Sequence, residues 1–286
     1  MNKGEYFSPK TLCEALELLD KYREKAVIVN GGTDIVEKIT HKTIDPEAII
    51  YIQDIPELKN ISADDSFVSI GGASTYEDVL SSPLCKQFAG LCQAVAVIGS
   101  PAIRVVGTPA GNIGTAVPAA DCNVPLVALD AEIVLASKCG ERTIKAKDMF
   151  IGYCKTQMES HELIKEIRIP KLGANTGSAF ARLTKRKGQD ISQVAVAVCL
   201  TLDGEVCQTI SIGMGAVSST TIKAYSLEKI MTGKKIGAGL ANIKGVFPAE
   251  AMLRSARNKL YKQEVLSVVV ERAVKKACDD AARRGN

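Results

Sequence analysis

The sequence has few of the residues that catalyse reactions without a cofactor. Of its 286 residues only His41 and His161 are histidines, and neither lies in the H-E-x-x-H or H-x-x-x-H spacing of a zinc hydrolase. The nine cysteines include no C-x-x-C pair, so no zinc ribbon or run of iron–sulfur ligands is encoded. A G-x-S-x-G turn and a G-x-x-x-x-G-K-[ST] phosphate loop are also absent. We therefore expect any redox or transfer chemistry to come from an organic cofactor or from a partner.

Long hydrophobic segments and a strong excess of one charge are missing too. No apolar run approaches the roughly 18 residues that span a bilayer, and the N-terminal MNKGEYFSPK lacks the hydrophobic region of a secretory signal. The net charge of +4 is small and evenly spread, which argues against nucleic acid as a partner. Nine cysteines without a signal peptide are typical of reduced thiols, so we expect a cytoplasmic protein.

The composition and length predict a globular chain of two domains. Hydrophobic residues make up 46% and charged residues 24%, and 286 residues exceed an average single core. A polar segment rich in proline and glycine, residues 170–177, marks the boundary. We expect a first domain over residues 1–175, with subdomains of about 1–60 and 61–175, and a second over 176–286.

The predicted strands differ between the two domains. Ala26–Val29 and Ala48–Ile52 are short, continuously apolar runs at the interval that a right-handed crossover between parallel strands needs. In the second domain, Ser178–Leu183, Val194–Leu202 and Val206–Gly215 are expected to form three antiparallel strands. Asp203-Gly204, between the last two, is a strong hairpin signal.

The first glycine-rich segment, Val29-Asn30-Gly31-Gly32-Thr33-Asp34, follows a predicted buried strand. Two glycines there allow positive φ angles, so that successive N–H groups point into one concavity and hold an anion such as a pyrophosphate. A simple tight turn between strand and helix explains this segment equally well when it is taken alone. Because the pattern is not G-x-G-x-x-G, it does not indicate a nicotinamide-binding Rossmann fold.

The second segment runs from Gly107 to Gly114 and continues in small residues to Asp121. We interpret it as a long loop whose small side chains leave room for a large flat ligand against the backbone. Asn112 offers a donor and an acceptor, and Asp121 is able to accept from a ribityl or ribose hydroxyl. The alternative is an ordinary surface loop, although structureless loops of this length in compact domains are more often functional.

Three stretches in register resemble one family: VIVNGGTDIVEKI, IGSPAIRVVGTPAGNIGTAVPAADCNVPLVALDAEIVL and SAFARLTKRKGQDIS. They are similar to the A-G-G-T-D-L turn, the I-G-x-x-x-I-R-N-x-x-T-x-G-G-N loop with S-P-x-x-D after it, and the K/R-x-x-x-R-x-x-x-D segment of the FAD-binding (medium) subunits of molybdenum hydroxylases. That family includes xanthine, nicotinate and carbon monoxide dehydrogenases. The resemblance implies an α+β protein. It implies a two-subdomain FAD-binding fold of the vanillyl-alcohol oxidase/PCMH type, then a small α+β domain with a three-stranded antiparallel sheet.

The resemblance also assigns cofactor-binding residues. Asn30, Gly31, Gly32, Thr33 and Asp34, together with Val29, would hold the FAD pyrophosphate, and Thr108, Gly111, Asn112 and Thr115 would line the flavin and its ribityl chain. Asp121 would bind a sugar hydroxyl or the adenosine side, and Ile164 would pack on the adenine or the ring. Arg182 would lie near the isoalloxazine and stabilise the negative charge of the reduced flavin. We interpret the neighbouring Lys185, Arg186 and Lys187 as a solvated strand face.

The implied activity is electron transfer without a catalytic residue in this chain. A molybdopterin-binding large subunit and a [2Fe–2S] small subunit would deliver electrons to non-covalent FAD, which would pass them to NAD⁺ or another acceptor. The sequence departs from the T-x-G-G-N pattern at Pro109 and Ala110, where lost glycine freedom is expected to alter flavin affinity or reactivity. A scaffold subunit that has lost FAD is therefore one alternative. An autonomous flavin oxidase is another, against which the sequence lacks a substrate-facing base.

Overall fold

The computed structural model describes residues 4–186, 188–253 and 259–285, and its N-terminal part contains a parallel three-stranded sheet. The elements are β1 (Glu5–Phe7), α1 (Leu12–Tyr22), β2 (Ala26–Val29), α2 (Ile35–Thr40) and β3 (Ala48–Tyr51). The strand order is β1–β3–β2, with Ala26 paired to Ala48 and Val29 to Tyr51. Helix α1 covers the sheet because its buried Leu19 packs with Ile50. This is the strand, glycine turn and helix unit that the sequence predicts.

The middle part of the chain is a five-stranded antiparallel sheet covered by short helices. Its elements are β4 (Ile61–Ala63), β5 (Phe67–Gly71), α3 (Tyr76–Ser81), α4 (Ala89–Ala96), α5 (Pro101–Arg104), α6 (Pro109–Thr115), α7 (Asn123–Ala128), β6 (Glu132–Ser137), β7 (Gly140–Lys145), β8 (Phe150–Gly152), β9 (Lys155–Thr156) and β10 (Leu163–Pro170). The sheet order is β4–β5–β10–β6–β7, and β8 and β9 form a separate hairpin. The helices bury Leu91, Ile113 and Leu126 against Ile133 and Ile167 of the sheet.

The C-terminal part has an antiparallel sheet and a long final helix. Its elements are β11 (Thr176–Leu183), β12 (Val194–Asp203), β13 (Val206–Gly215), β14 (Ile222–Lys223), α8 (Tyr225–Met231), α9 (Ile236–Ile243) and α10 (Lys259–Gly285). The three predicted strands are present, and the hairpin turn between β12 and β13 contains Gly204 at φ +55°. The prediction of a three-stranded sheet is wrong by one strand, because β14 pairs with β13. With two residues, β14 is too short to show strand periodicity.

The C-terminal sheet is buried on both faces, which explains the continuous apolar run in β12. One face packs on α10, through Val269, Val270 and Ala273. The other face packs on α4 and α7 of the middle part, in a cluster of Ala94, Val124, Ala128, Phe180, Ala195 and Ala197. Gly90 lets α4 approach the sheet closely, and its N–H donates to Ser178 Oγ at 3.1 Å. The two parts therefore share a packed interface.

Within the described residues, no helix combines the length and apolar character that crossing a membrane requires.

Candidate cofactor-binding cavity

A cavity of about 410 Å³ lies between the N-terminal sheet and the helices of the middle part, and both glycine-rich segments line it. The first segment contributes Asn30, Gly31, Gly32, Thr33 and Asp34. The second contributes Thr108, Ala110, Gly111, Asn112, Gly114 and Thr115. Ile164 also lines the cavity. Ten of the thirteen residues assigned by resemblance therefore face one space, whose volume is in the range of small-molecule and cofactor sites.

The first segment is a backbone cradle that requires both of its glycines. A Cβ on Gly31 would collide with the carbonyl oxygen of Val106, and Gly32 has a φ of +70°, which L residues rarely adopt. Among the described residues, no protein group accepts the N–H groups of residues 31–34. Helix α2, which follows the segment, is only six residues long. The segment therefore offers an anionic ligand its unpaired backbone N–H groups rather than the N-terminus of a long helix.

The second segment is a helix, so the prediction of a long structureless loop is wrong. Helix α6 begins at Pro109, and the Thr108 hydroxyl caps it by accepting from the Gly111 N–H at 3.0 Å. A threonine followed by proline is a helix-start signal, but the run of small residues hides the apolar periodicity. Pro109 takes the first helical position, where no intrahelical N–H donor is needed. A Cβ on Gly114 would meet no atom within 4 Å, so this turn of α6 leaves open space.

Two orphaned amide oxygens test whether the cavity suits FAD. Asn30 Oδ1 and Asn112 Oδ1 are buried without a hydrogen-bond partner among the described residues, although Asn30 Nδ2 donates to the Gly72 carbonyl at 2.6 Å. A buried acceptor left unpaired costs about 1–3 kcal/mol, so a ligand with hydroxyl or amine donors would stabilise the protein. Together with the free N–H donors, these acceptors fit a dinucleotide that carries both a pyrophosphate and sugar hydroxyls.

One side of the cavity is built from residues that the sequence did not indicate. The hairpin β8–β9 and the segment after it contribute Cys154, Thr156, Met158, Glu159, Ser160 and Glu162, and α3 contributes Tyr76. The Glu162 carboxylate is only 5% exposed and accepts two hydrogen bonds from Arg142, at 2.5 and 2.7 Å. Burial raises the pKa of Glu162, but the bonds from Arg142 and from the Glu159 N–H outweigh it and hold that pKa below its usual value. No local sequence pattern indicates that these residues line the cavity.

Asp121 and Arg182 lie outside the cavity lining and are bonded to each other. Arg182 Nη1 is 2.6 Å from Asp121 Oδ2, and the Ser192 hydroxyl donates to Asp121 Oδ1 at 2.6 Å. Burial raises the pKa of Asp121, and the bonds from Ser192 and Arg182 only partly offset that rise. Contact between these two side chains and the cofactor stays a prediction.

The remaining residues singled out in the sequence are Val29 and the basic residues 185–187. Val29 is buried beside the cradle, and its carbonyl accepts from the Ile52 N–H at 2.9 Å. Lys185 and Arg186 are exposed, whereas Lys187 lies outside the described residues. The described ranges contain no cluster of three or more histidine, cysteine or acidic side chains able to hold a metal ion.

A strand–turn–helix cradle and a capped helix facing one cavity, with a helix-backed antiparallel domain behind, define a two-domain dinucleotide-binding protein. Comparison with known proteins identifies the family. Residues 2–172 match the FAD binding domain in molybdopterin dehydrogenase, and residues 179–277 match the CO dehydrogenase flavoprotein C-terminal domain.

Similar proteins cover nearly the full length of the chain. The nicotinate dehydrogenase FAD-subunit of Eubacterium barkeri is 30% identical over 283 residues, 95% of each chain. The carbon monoxide dehydrogenase medium chain of Hydrogenophaga pseudoflava is 31% identical over 280 residues, 96% of each chain. A solved structure of carbon monoxide dehydrogenase from the same organism matches with a TM-score of 0.89 and 29% identity, covering 97% of this chain and 98% of that one.

The chain belongs to the family of FAD-binding medium subunits of molybdenum hydroxylases, and it is an oxidoreductase flavoprotein subunit. These matches confirm the predicted family, the α+β fold class and FAD as the cofactor of the N-terminal domain.

Proposed function

We propose that this chain binds FAD non-covalently and transfers electrons within a molybdenum hydroxylase complex. In this proposal a [2Fe–2S] partner delivers electrons singly, a molybdopterin-containing partner oxidises the substrate, and NAD⁺ or another acceptor takes the electrons. The observation that carries the proposal is that two segments about 80 residues apart in sequence line one cavity. Among the described residues, the N–H groups of residues 31–34 and the amide oxygens of Asn30 and Asn112 have no protein partner. The partners are supported by the relatives, which are medium chains or FAD-subunits of named dehydrogenases.

In this proposal FAD supplies the redox chemistry, and the residues of this chain bind and orient it. The N–H groups of residues 31–34, which no protein group among the described residues accepts, would donate to the pyrophosphate oxygens. Asn30 Oδ1 and Asn112 Oδ1 accept from hydroxyl groups of the cofactor. The apolar lining residues Leu19, Ile28, Ile52 and Ile164 exclude water from its flat rings.

The cytoplasmic location and the molybdenum-containing partner subunit are part of the same proposal. The cytoplasm suits a chain whose cysteines are all free thiols in the structure. The solved structure from Hydrogenophaga pseudoflava is a carbon monoxide dehydrogenase that lacks the Mo-pyranopterin moiety of its molybdenum cofactor. The molybdenum cofactor of that similar enzyme supports a molybdenum-containing partner for this chain.

The test is a titration of the purified chain with FAD, read by flavin absorbance and fluorescence. We expect binding of one FAD per chain, whereas a chain that retains none after gel filtration supports the scaffold alternative. The variant Gly32→Val places a branched side chain at φ +70°, which costs about 1–2 kcal/mol of backbone strain. It should lose FAD, because the cradle must rearrange.

The matched control is Gly204→Val, in the β12–β13 turn. Gly204 has a φ of +55°, and its Cβ would meet no atom within 4 Å, so the strain is comparable but remote from the cavity. This variant should keep FAD. Equal loss of FAD in both variants would mean that the cradle is not the binding site.

A further inference from the structure

Tyr76 lies where the two glycine-rich segments meet. Its backbone N–H donates to the Gly107 carbonyl at 2.9 Å, and a Cβ on Gly107 would lie 3.0 Å from the Tyr76 ring. The Cα of Gly107 is also 2.8 Å from the position that a Cβ on Gly31 would take. Tyr76 and the first glycine-rich segment therefore approach the same residue of the second one.

The local sequence holds Tyr76 in place without a ligand. Tyr76 is the first residue of α3, which is capped by a reciprocal pair of bonds between Thr75 and Asp78. The Thr75 hydroxyl accepts from the Asp78 N–H at 3.1 Å, and Asp78 Oδ2 accepts from the Thr75 N–H at 2.7 Å. The Tyr76 side chain belongs to the core of the middle part, and the residue is only 3% exposed. Its ring is therefore a fixed part of the cavity lining.

The Tyr76 hydroxyl has no hydrogen-bond partner among the described residues, although it is a polar group in a buried side chain. Buried tyrosine hydroxyls usually find a partner, because a buried polar group has lost its bonds to water. The neighbouring Asp121 carboxylate instead accepts from Arg182 and from Ser192. The fold therefore leaves the hydroxyl of a cavity-lining residue available to a ligand.

The surroundings of this hydroxyl keep it protonated. Burial raises the pKa of Tyr76 well above its usual value, and the nearby Cys122 and Asp121 raise that pKa further. A protonated phenol donates one hydrogen bond. The group that Tyr76 offers to a ligand is therefore a neutral donor.

We propose that Tyr76 is a cofactor-contacting residue whose hydroxyl donates a hydrogen bond to an acceptor atom of bound FAD. This inference rests on the proposed function and adds to it a binding residue on α3, outside both glycine-rich segments. The first segment offers backbone N–H donors, whereas Tyr76 offers a side-chain donor at the junction of the two segments.

The test is the variant Tyr76→Phe in the full chain. This substitution keeps the ring against Gly107 and the backbone bond to the Gly107 carbonyl, and it removes only the hydroxyl. We expect FAD affinity, measured by fluorescence titration, to fall by roughly tenfold, as the loss of one good hydrogen bond predicts. In urea denaturation without FAD, the free energy of unfolding should stay the same or increase, because the hydroxyl has no partner in the protein.

The matched control is Tyr22→Phe. The Tyr22 hydroxyl donates to Glu5 Oε2 at 3.0 Å, and Tyr22 does not line the cavity. This variant should bind FAD like the parent protein and unfold at the same or a slightly lower urea concentration. The two variants should therefore differ in FAD affinity, although each loses a single hydroxyl.

NMR of protein with ring-labelled tyrosine gives a second readout, since the chain has only seven tyrosines. Comparison with the spectra of the two variants identifies the resonances of Tyr76 and Tyr22. Addition of FAD to the parent protein should shift the Tyr76 resonance and leave the Tyr22 resonance in place.

An FAD affinity of Tyr76→Phe within about twofold of the parent value would overturn the inference. An unshifted Tyr76 resonance would also overturn it, as would a free energy of unfolding that falls as much as the free energy of FAD binding, since the hydroxyl would then serve the fold. These results leave the proposed function standing, because the parent protein binds FAD in each of them. A parent protein that binds no FAD would overturn both proposals.

Discussion

The substitution Gly31→Ala tests the contact that sets the distance between the two glycine-rich segments. The nearest atoms to a new Cβ are all backbone: the Val106 carbonyl oxygen, its carbonyl carbon at 2.6 Å and Gly107 Cα at 2.8 Å. Real Cβ atoms do not approach this closely, and rotation of a side chain cannot relieve contacts with these three backbone atoms. The turn at 31–34 and the segment leading into α6 must therefore move apart.

The expected cost follows from overpacking of a tight backbone contact. Such insertions destabilise proteins by about 1–3 kcal/mol, and displaced donors and acceptors should lower FAD affinity by roughly tenfold or more. We would measure FAD binding by fluorescence titration and the free energy of unfolding by urea denaturation. Both should decrease.

The control for this variant is Gly237→Ala in helix α9. Its Cβ would meet no atom within 4 Å, and alanine is the better helix former by about 1 kcal/mol. This variant should bind FAD like the parent and unfold at slightly higher urea concentration. Unchanged FAD affinity in Gly31→Ala, together with unchanged stability, would refute the close contact between the segments.

Two further predictions concern titratable groups. Burial raises the pKa of the Asp121 carboxyl group above 3.8, its value in the unfolded chain. The native state therefore keeps the Asp121 carboxyl proton to higher pH than the unfolded chain does. The free energy of unfolding should therefore decrease as the pH rises from below 3.8 through the pKa of Asp121 in the folded protein. The variant Asp121→Asn should remove this pH dependence from urea denaturation curves. An unchanged pH dependence in the variant would contradict the raised pKa of Asp121. Exposed Cys154 lines the cavity, whereas exposed Cys13 and Cys139 do not. FAD should protect Cys154 alone from iodoacetamide, as measured by mass spectrometry, and equal protection of all three thiols would contradict the site.

The local parts of the site could be predicted from the sequence because their signals are local. The glycines of the first segment are required by a positive φ angle and by a close backbone approach, and both leave a short pattern after a buried strand. The apolar run of β12 likewise reflects burial on both faces. The second segment was located correctly but assigned the wrong conformation, because small residues hide the periodicity of α6.

The parts that could not be predicted depend on contacts between distant residues. Arg142 and Glu162 are 20 residues apart, and Asp121 and Arg182 are 61 apart. No spacing rule links such pairs in a sequence. The resemblance assigned Asp121 and Arg182 separately to the cofactor, whereas the fold brings their opposite charges within 2.6 Å of each other.

The resemblance also raised the question whether Pro109 and Ala110 disturb the site. Pro109 occupies the first position of α6, which suits its fixed φ angle. Ala110 is 6% exposed and lines the cavity while packing with the buried core. The added methyl group therefore fits within the folded helix, and the scaffold alternative gains no support from the packing at these two residues.

Amide hydrogen exchange with and without FAD tests the central claim most directly, since exchange reports on each N–H group. If both segments hold one dinucleotide, FAD should slow exchange of the amides at residues 31–34 and of those in residues 110–115 in the same titration. Protection of only one segment, or of neither, would contradict a single site shared by the two.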